Sequence, residues 1–250
     1  MATIDGLYPY EVAMLIAGSL LFIVALVLTL VVGIQGKPVK GFVVLFFIAI
    51  VMIGFPAYSS IEISGDGVKL QKAVHDLQED PTNVDARETV EATVPELEVR
   101  PIKNLSLLIT IANALFASGD KGGAETTLGK VFKSDVQNQG ALELKKKIDI
   151  DNNLVRLTEQ LKQNPEDEVT KSQLNEVVNE ASRLKISNPK MLENLAQGQD
   201  AIGQNAAAKE NRQIVTAISK GISLNHPSSS GQHNKPDHTV KPPHPPHSTH

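Results

Sequence analysis

Cysteine is absent from all 250 residues. That excludes disulfides, thiolate nucleophiles, Cys-ligated zinc and iron–sulfur clusters. It does not fix the compartment, because a protein in an oxidising compartment can do without disulfides. Tryptophan is absent too, and aromatic residues make up only 4% of the chain. This argues against a base-stacking platform or an aromatic sugar site. Basic residues are not in excess: the formal net charge is −4, so the cationic face that nucleic-acid binding needs is missing. The common catalytic signatures are missing as well. The sequence contains no GxSxG, no Walker sequence and no HExxH. Gly119-Asp120-Lys121-Gly122-Gly123 superficially resembles a phosphate loop but has neither its spacing nor a preceding strand. His75 is the one histidine outside the C-terminal tail and reads as a surface residue on an amphipathic helix. The chain is not expected to be an enzyme, and no resident cofactor is expected in its folded part.

What is present begins with two long apolar runs. No charged side chain occurs between Glu11 and Lys37, nor between Lys40 and Glu62. The spans are predicted at about 12–34 and 42–58, each long enough to cross or nearly cross roughly 30 Å of hydrocarbon. Tyr8, Tyr10 and Tyr58 lie where interfacial aromatics belong. A cleaved signal peptide is disfavoured, because the flank before the first run is acidic (Asp5, Glu11) and a second span follows at once. Residues 1–10 form an N-terminal segment and 11–60 a transmembrane hairpin. Its turn, Gln35 to Gly41, contains only Lys37 and Lys40 as charges. The positive-inside rule places that turn in the cytoplasm and both termini outside, which in a bacterial inner membrane is the periplasmic face. Ala13, Ala17 and Gly18 offer a small-residue stripe for helix packing. Gly54 and Pro56 read as marking the far end of the second span.

Ser64-Gly65-Asp66-Gly67 reads as a flexible joint, with the hinge at 61–67. Beyond it the chain matches itself at an offset of 84 residues. Leu70 falls on Leu154, Leu77 on Leu161, Pro81 on Pro165, Val94 on Val178 and Asn104 on Asn188. Ala112, Gly119, Ala124 and Val131 fall on Ala196, Gly203, Ala208 and Val215. Ordered identities at packing and turn positions indicate an internal duplication. The first copy and a joining helix are predicted over 68–151, and the second copy over 152–224. The helices of the first copy are expected near 68–79, 83–99, 104–118 and 121–133, with the joining helix near 137–150. The fold class is therefore all-α: an apolar hairpin, then a duplicated helical-repeat domain.

Within each copy the second hairpin resembles a tetratricopeptide repeat. Leu108, Ile111, Ala112 and Leu115 occupy the signature places of its first helix, Gly119-Asp120 its turn, and Ala124, Leu128 and Val131 its second helix. Leu192, Leu195, Ala196, Gly203, Ala208 and Val215 keep the pattern in the second copy, whereas Gln199 and Arg212 break it. The layout also resembles the tetratricopeptide subunit of bacterial cytochrome c maturation, although that family has a long helical cytoplasmic loop where this chain has a short turn. The resemblance implies partner binding on a concave face. Ile109, Asn113 and Phe116 would line it in the first copy, and Asn194, Gln197 and Asp200 in the second.

From Asn225 the composition changes to histidine, proline and serine, a segment of 225–250 that is expected to be disordered. His233, His238, His244, His247 and His250 are candidate ligands for Cu²⁺, Ni²⁺ or Zn²⁺. Three functional readings follow. The first is a membrane-anchored scaffold or assembly factor that binds a membrane or periplasmic protein. The second is an accessory subunit of a larger respiratory or metal-dependent membrane complex. The third is metal delivery through the tail.

Overall fold

The computed structural model describes residues 6–35 and 42–224. Among these there are nine α-helices and no strand: α1 (Pro9–Ile34), α2 (Phe42–Glu79), α3 (Val84–Glu98), α4 (Leu105–Ser118), α5 (Lys121–Ser134), α6 (Gln139–Gln163), α7 (Glu168–Ala181), α8 (Pro189–Ala201) and α9 (Asn205–Ser219).

Helices α1 and α2 are long and apolar enough to cross a membrane. Each presents a narrow buried stripe to the other and leaves its remaining apolar side chains outward. On α1 the fully buried positions are Glu11, Gly18 and Ala25, seven residues apart. Gly18 is the point of closest approach. A Cβ there would lie 2.8 Å from the Met52 Cβ and 3.2 Å from the Ile53 backbone nitrogen. Ala13 and Ala17, expected in the same stripe, are exposed. The seam has a heptad repeat, so only one of the three small residues falls on it.

The same repeat explains a second correction. Residues 61–67, read as a hinge, are helical, and α2 runs without interruption for 38 residues. Ala49, Pro56, Ile63, Leu70 and Leu77 are all buried and again seven residues apart. One continuous stripe thus packs first on α1 and then on α3 and α4. Gly65 and Gly67 weaken the helix locally but do not lie on that stripe, so packing overrides their propensity. Pro56 lies near the end of the expected span but not in a terminal turn, because α2 continues past it to Glu79.

The duplication is visible in the helix boundaries. α2 ends at Glu79 and α6 at Gln163, and α3, α4 and α5 begin 84 residues before α7, α8 and α9. The caps repeat as well. Asn83 and Asp167 accept hydrogen bonds at the starts of α3 and α7, and Asn104 and Asn188 at those of α4 and α8. Gly119 and Gly203 close α4 and α8 with φ of 96° and 85°, a region where a side chain would be strained. The joining helix expected near 137–150 is continuous with the first helix of the second copy. Together they form the 25-residue α6, which packs against α5 on one side and α7 and α8 on the other.

Where Gln199 and Arg212 break the apolar pattern, the second copy uses polar pairs. Gln199 is buried and accepts from the Asn211 amide at 2.8 Å, and Arg212 pairs with Asp200 at 2.5 Å. In the first copy the equivalent Leu115 and Leu128 are buried in the core. Arg87 links the copies at their edges. Its guanidinium donates to the carbonyls of Pro81 (2.9 Å), Ala117 (3.3 Å) and Ser187 (3.3 Å). Burial pushes its pKa below the ordinary arginine value, opposed by nearby Glu91. Beyond α9, the Leu224 amide donates to the Thr82 hydroxyl at 2.8 Å.

Candidate partner-binding groove

Three helices of the repeat region, α2, α4 and α6, lie side by side and leave a groove of about 350 Å³ between them. One wall is the polar face of α2, where Gln71, His75 and Gln78 recur at i, i+4 and i+7 and therefore share a side. Thr110 and Asn113 enter from α4, and Glu143 and Lys147 from α6. Val74 and Leu144 form the apolar floor. Gly140 brings α6 close to α4: a Cβ there would meet the Ile109 side chain at 3.3 Å.

Lys147 dominates the electrostatics. It is half-buried, and that burial pushes its ammonium below the ordinary lysine pKa, with Glu143 pulling the other way. No hydrogen bond or ion pair reaches it among the described residues. Other buried charges here are fully engaged. Asp151 in α6, 2% exposed, accepts from Lys121 (2.8 Å) and from Asn194 (2.8 Å). A half-desolvated ammonium among amide and hydroxyl groups can receive an anionic or carbonyl oxygen. The surrounding glutamines and Asn113 supply both donors and acceptors, the complement an extended polypeptide backbone requires.

Of the six residues expected to face a partner, Asn113 alone lines this groove, while its own amide also donates to the Ile109 carbonyl at 2.9 Å. Ile109 is half-buried against Gly140 and the core. Phe116 is a correction: it is 5% exposed and belongs to the core, because its face of α4 turns inward. Asn194 is spent on Asp151, and Asp200 on Arg212. Gln197 donates to Glu193 at 3.2 Å along its own helix. The structure does not gather the six into one surface. Sequence reading missed Gln71, His75, Gln78, Glu143 and Lys147. The spacing of the α2 trio was visible as a polar stripe, but nothing in the sequence said which helices stand beside it.

The expected metal ligands His233, His238, His244, His247 and His250, like Lys37 and Lys40 of the inter-span turn, lie outside the described residues. Among those described, no group of three or more His, Asp or Glu side chains could hold a metal ion.

Comparison with known families, characterised proteins and solved structures returned no match. The likenesses to the tetratricopeptide repeat and to the cytochrome-maturation subunit therefore rest on the residues quoted for them and are not supported by a relative.

Proposed function

We propose that this chain is a membrane-anchored scaffold or assembly factor whose duplicated helical domain binds an extended segment of another protein. The groove between α2, α4 and α6 carries the reading, above all the unpaired, half-buried Lys147 among side-chain amides. A charge held partly out of water without a partner costs stability, and an incoming carboxylate or carbonyl offsets that cost. The partner segment is therefore acidic.

The anchor is α1 and α2. At about 1.5 Å per residue, α1 is roughly 39 Å long, more than the ~30 Å of hydrocarbon. Ile16, Leu20, Ile23, Leu30, Phe47 and Ile50 point outward with more than half of their surface open, which water disfavours and lipid does not. The two lysines of the turn favour its cytoplasmic placement and so put the groove on the periplasmic face of a bacterial inner membrane. Because the chain has no cysteine, the topology is directly testable. Cysteine at Ser64 should react with an impermeant thiol reagent in intact spheroplasts, and cysteine at Gly36 should not. The reverse pattern would put the groove in the cytoplasm.

A photo-crosslinking residue at Gln78, in the full chain in its native membrane, tests the groove itself. A discrete crosslinked protein that disappears in Lys147→Glu supports the reading. No crosslink, or one indifferent to Lys147→Glu, overturns it. If deleting residues 1–60 abolishes association while the groove variants spare it, the chain is instead an accessory subunit that binds its complex through the helix pair.

A further inference from the structure

A second cavity, of about 470 Å³, lies where α1 begins and where α2 leaves its apolar stretch, roofed by the end of α3. Its base is a buried polar clamp. Glu11, 1% exposed, accepts from the Tyr8 backbone amide (2.7 Å), from Ser59 (3.1 Å) and from Arg100 (3.4 Å). The Arg100 guanidinium also sits 5.2 Å above the Tyr8 ring, and the Tyr8 hydroxyl donates to the Val99 carbonyl at 3.0 Å. This clamp fixes the repeat region against the mouth of the helix pair.

The cavity is amphoteric. Arg100 carries five N–H donors, of which Glu11 takes one, so donors are left for an anionic oxygen. Glu11 is balanced by Arg100, and Asp66 by Lys69 at 3.0 Å. Glu62 and Glu96, also in the wall, make no close ion pair among the described residues, although the Lys69 ammonium, bound to Asp66, feels the charge of both. Beside them Tyr10 and Tyr58 expose 57% and 67% of their surface, and Phe55 52%. With four carboxylates against Arg100 and Lys69 the site keeps an excess of negative charge, and aromatic faces next to carboxylates attract an ammonium. The volume is that of a small-molecule site.

We propose that this cavity binds the zwitterionic headgroup of a membrane phospholipid, with the phosphate at Arg100 and the ammonium between Glu62, Glu96 and the tyrosine rings. The proposal rests on the membrane reading above, which supplies the ligand: the cavity adjoins Phe55 and the outward apolar side chains, along which acyl chains would lie. An anionic headgroup without an ammonium would add negative charge beside Glu62 and Glu96, where carboxylates already outnumber cations, and is disfavoured. The same chemistry exists in soluble phosphoethanolamine, so the source must be separated from the chemistry.

The test is native mass spectrometry of the full chain released from nanodiscs containing equal parts of phosphatidylethanolamine and phosphatidylglycerol. About tenfold preferential retention of phosphatidylethanolamine is expected, and the paired substitution Glu62→Gln with Glu96→Gln should remove the preference. Both glutamates are exposed, so this variant should keep the helical content and melting temperature of the parent, which circular dichroism checks. Equal retention of the two lipids, or an unchanged preference in the variant, overturns the proposal. Displacement of bound lipid by equimolar soluble phosphoethanolamine would assign the cavity to a soluble ligand and overturn the lipid source. Carbonate extraction separates the two levels. If the protein is released from membranes, the anchoring reading fails. If it remains embedded yet retains no lipid preferentially, only the headgroup site fails.

Discussion

Lys147 is poised between two costs. Its folded pKa is depressed chiefly by desolvation, so the charged form is less favourable in the folded chain than in the unfolded one. The sign follows directly. At pH below the folded pKa the lysine subtracts from stability, and the deficit is relieved as pH rises through that value toward the unfolded one. Lys147→Met should therefore raise the melting temperature at pH 7, while recovery of the crosslinked partner falls at least severalfold. A variant that is more stable and binds equally well would remove Lys147 from the site. Arg87, another half-buried cation, differs because three carbonyls receive it. Its removal leaves those carbonyls unpaired and should destabilise by about 2 kcal/mol in a denaturant titration.

At the scale of the element, α2 joins the apolar helix pair to the repeats as one continuous helix. Gly65 sits inside a continuous helix with open space where a Cβ would be. Gly65→Ala should stabilise the chain by about 0.5–1 kcal/mol, because the unfolded state loses freedom while the helix loses nothing. A neutral or destabilising result would mean that the segment around Gly65 is not a continuous helix. Gly18 gives the opposite case. Its replacement by leucine drives atoms into Met52 and the backbone of Ile53, so α1 must separate from α2. Gly18→Leu should lower the detergent-state melting temperature sharply, whereas Ala17→Leu, on the outward side, should leave it within a degree or two. Equal effects of the two would mean that the seam is placed wrongly.

At the scale of the whole molecule, the two copies are held together by few polar links, of which the buried Asp151 is the most enclosed. It lies in α6 and is bound by Lys121 of the first copy and Asn194 of the second. Asp151→Ala strands both partners and should cost about 2–3 kcal/mol, somewhat less than a fully enclosed pair because Lys121 is one-third exposed. Calorimetry should then show a broadened or split transition, as the copies uncouple. A single sharp transition at the parent temperature would mean that apolar packing of α5 on α6 suffices alone.

The sequence by itself determined the helical class, the two apolar helices and the internal repeat. Each of these is a local or periodic property: an uncharged run, a Gly or Asn at a cap, an identity 84 positions on. Only the tertiary structure decided the rest. The hinge at 61–67 vanished because burial of a heptad stripe, first on α1 and then on α3 and α4, outweighs the poor helix propensity of two glycines. Phe116 went inward and Lys147 came to a groove because helix order in space, unlike helix periodicity, depends on which faces pack. The clamp of Glu11, Ser59 and Arg100 joins residues 48 and 89 positions apart. No local pattern encodes such a meeting, because the free energy that forms it comes from closing the whole chain around one core.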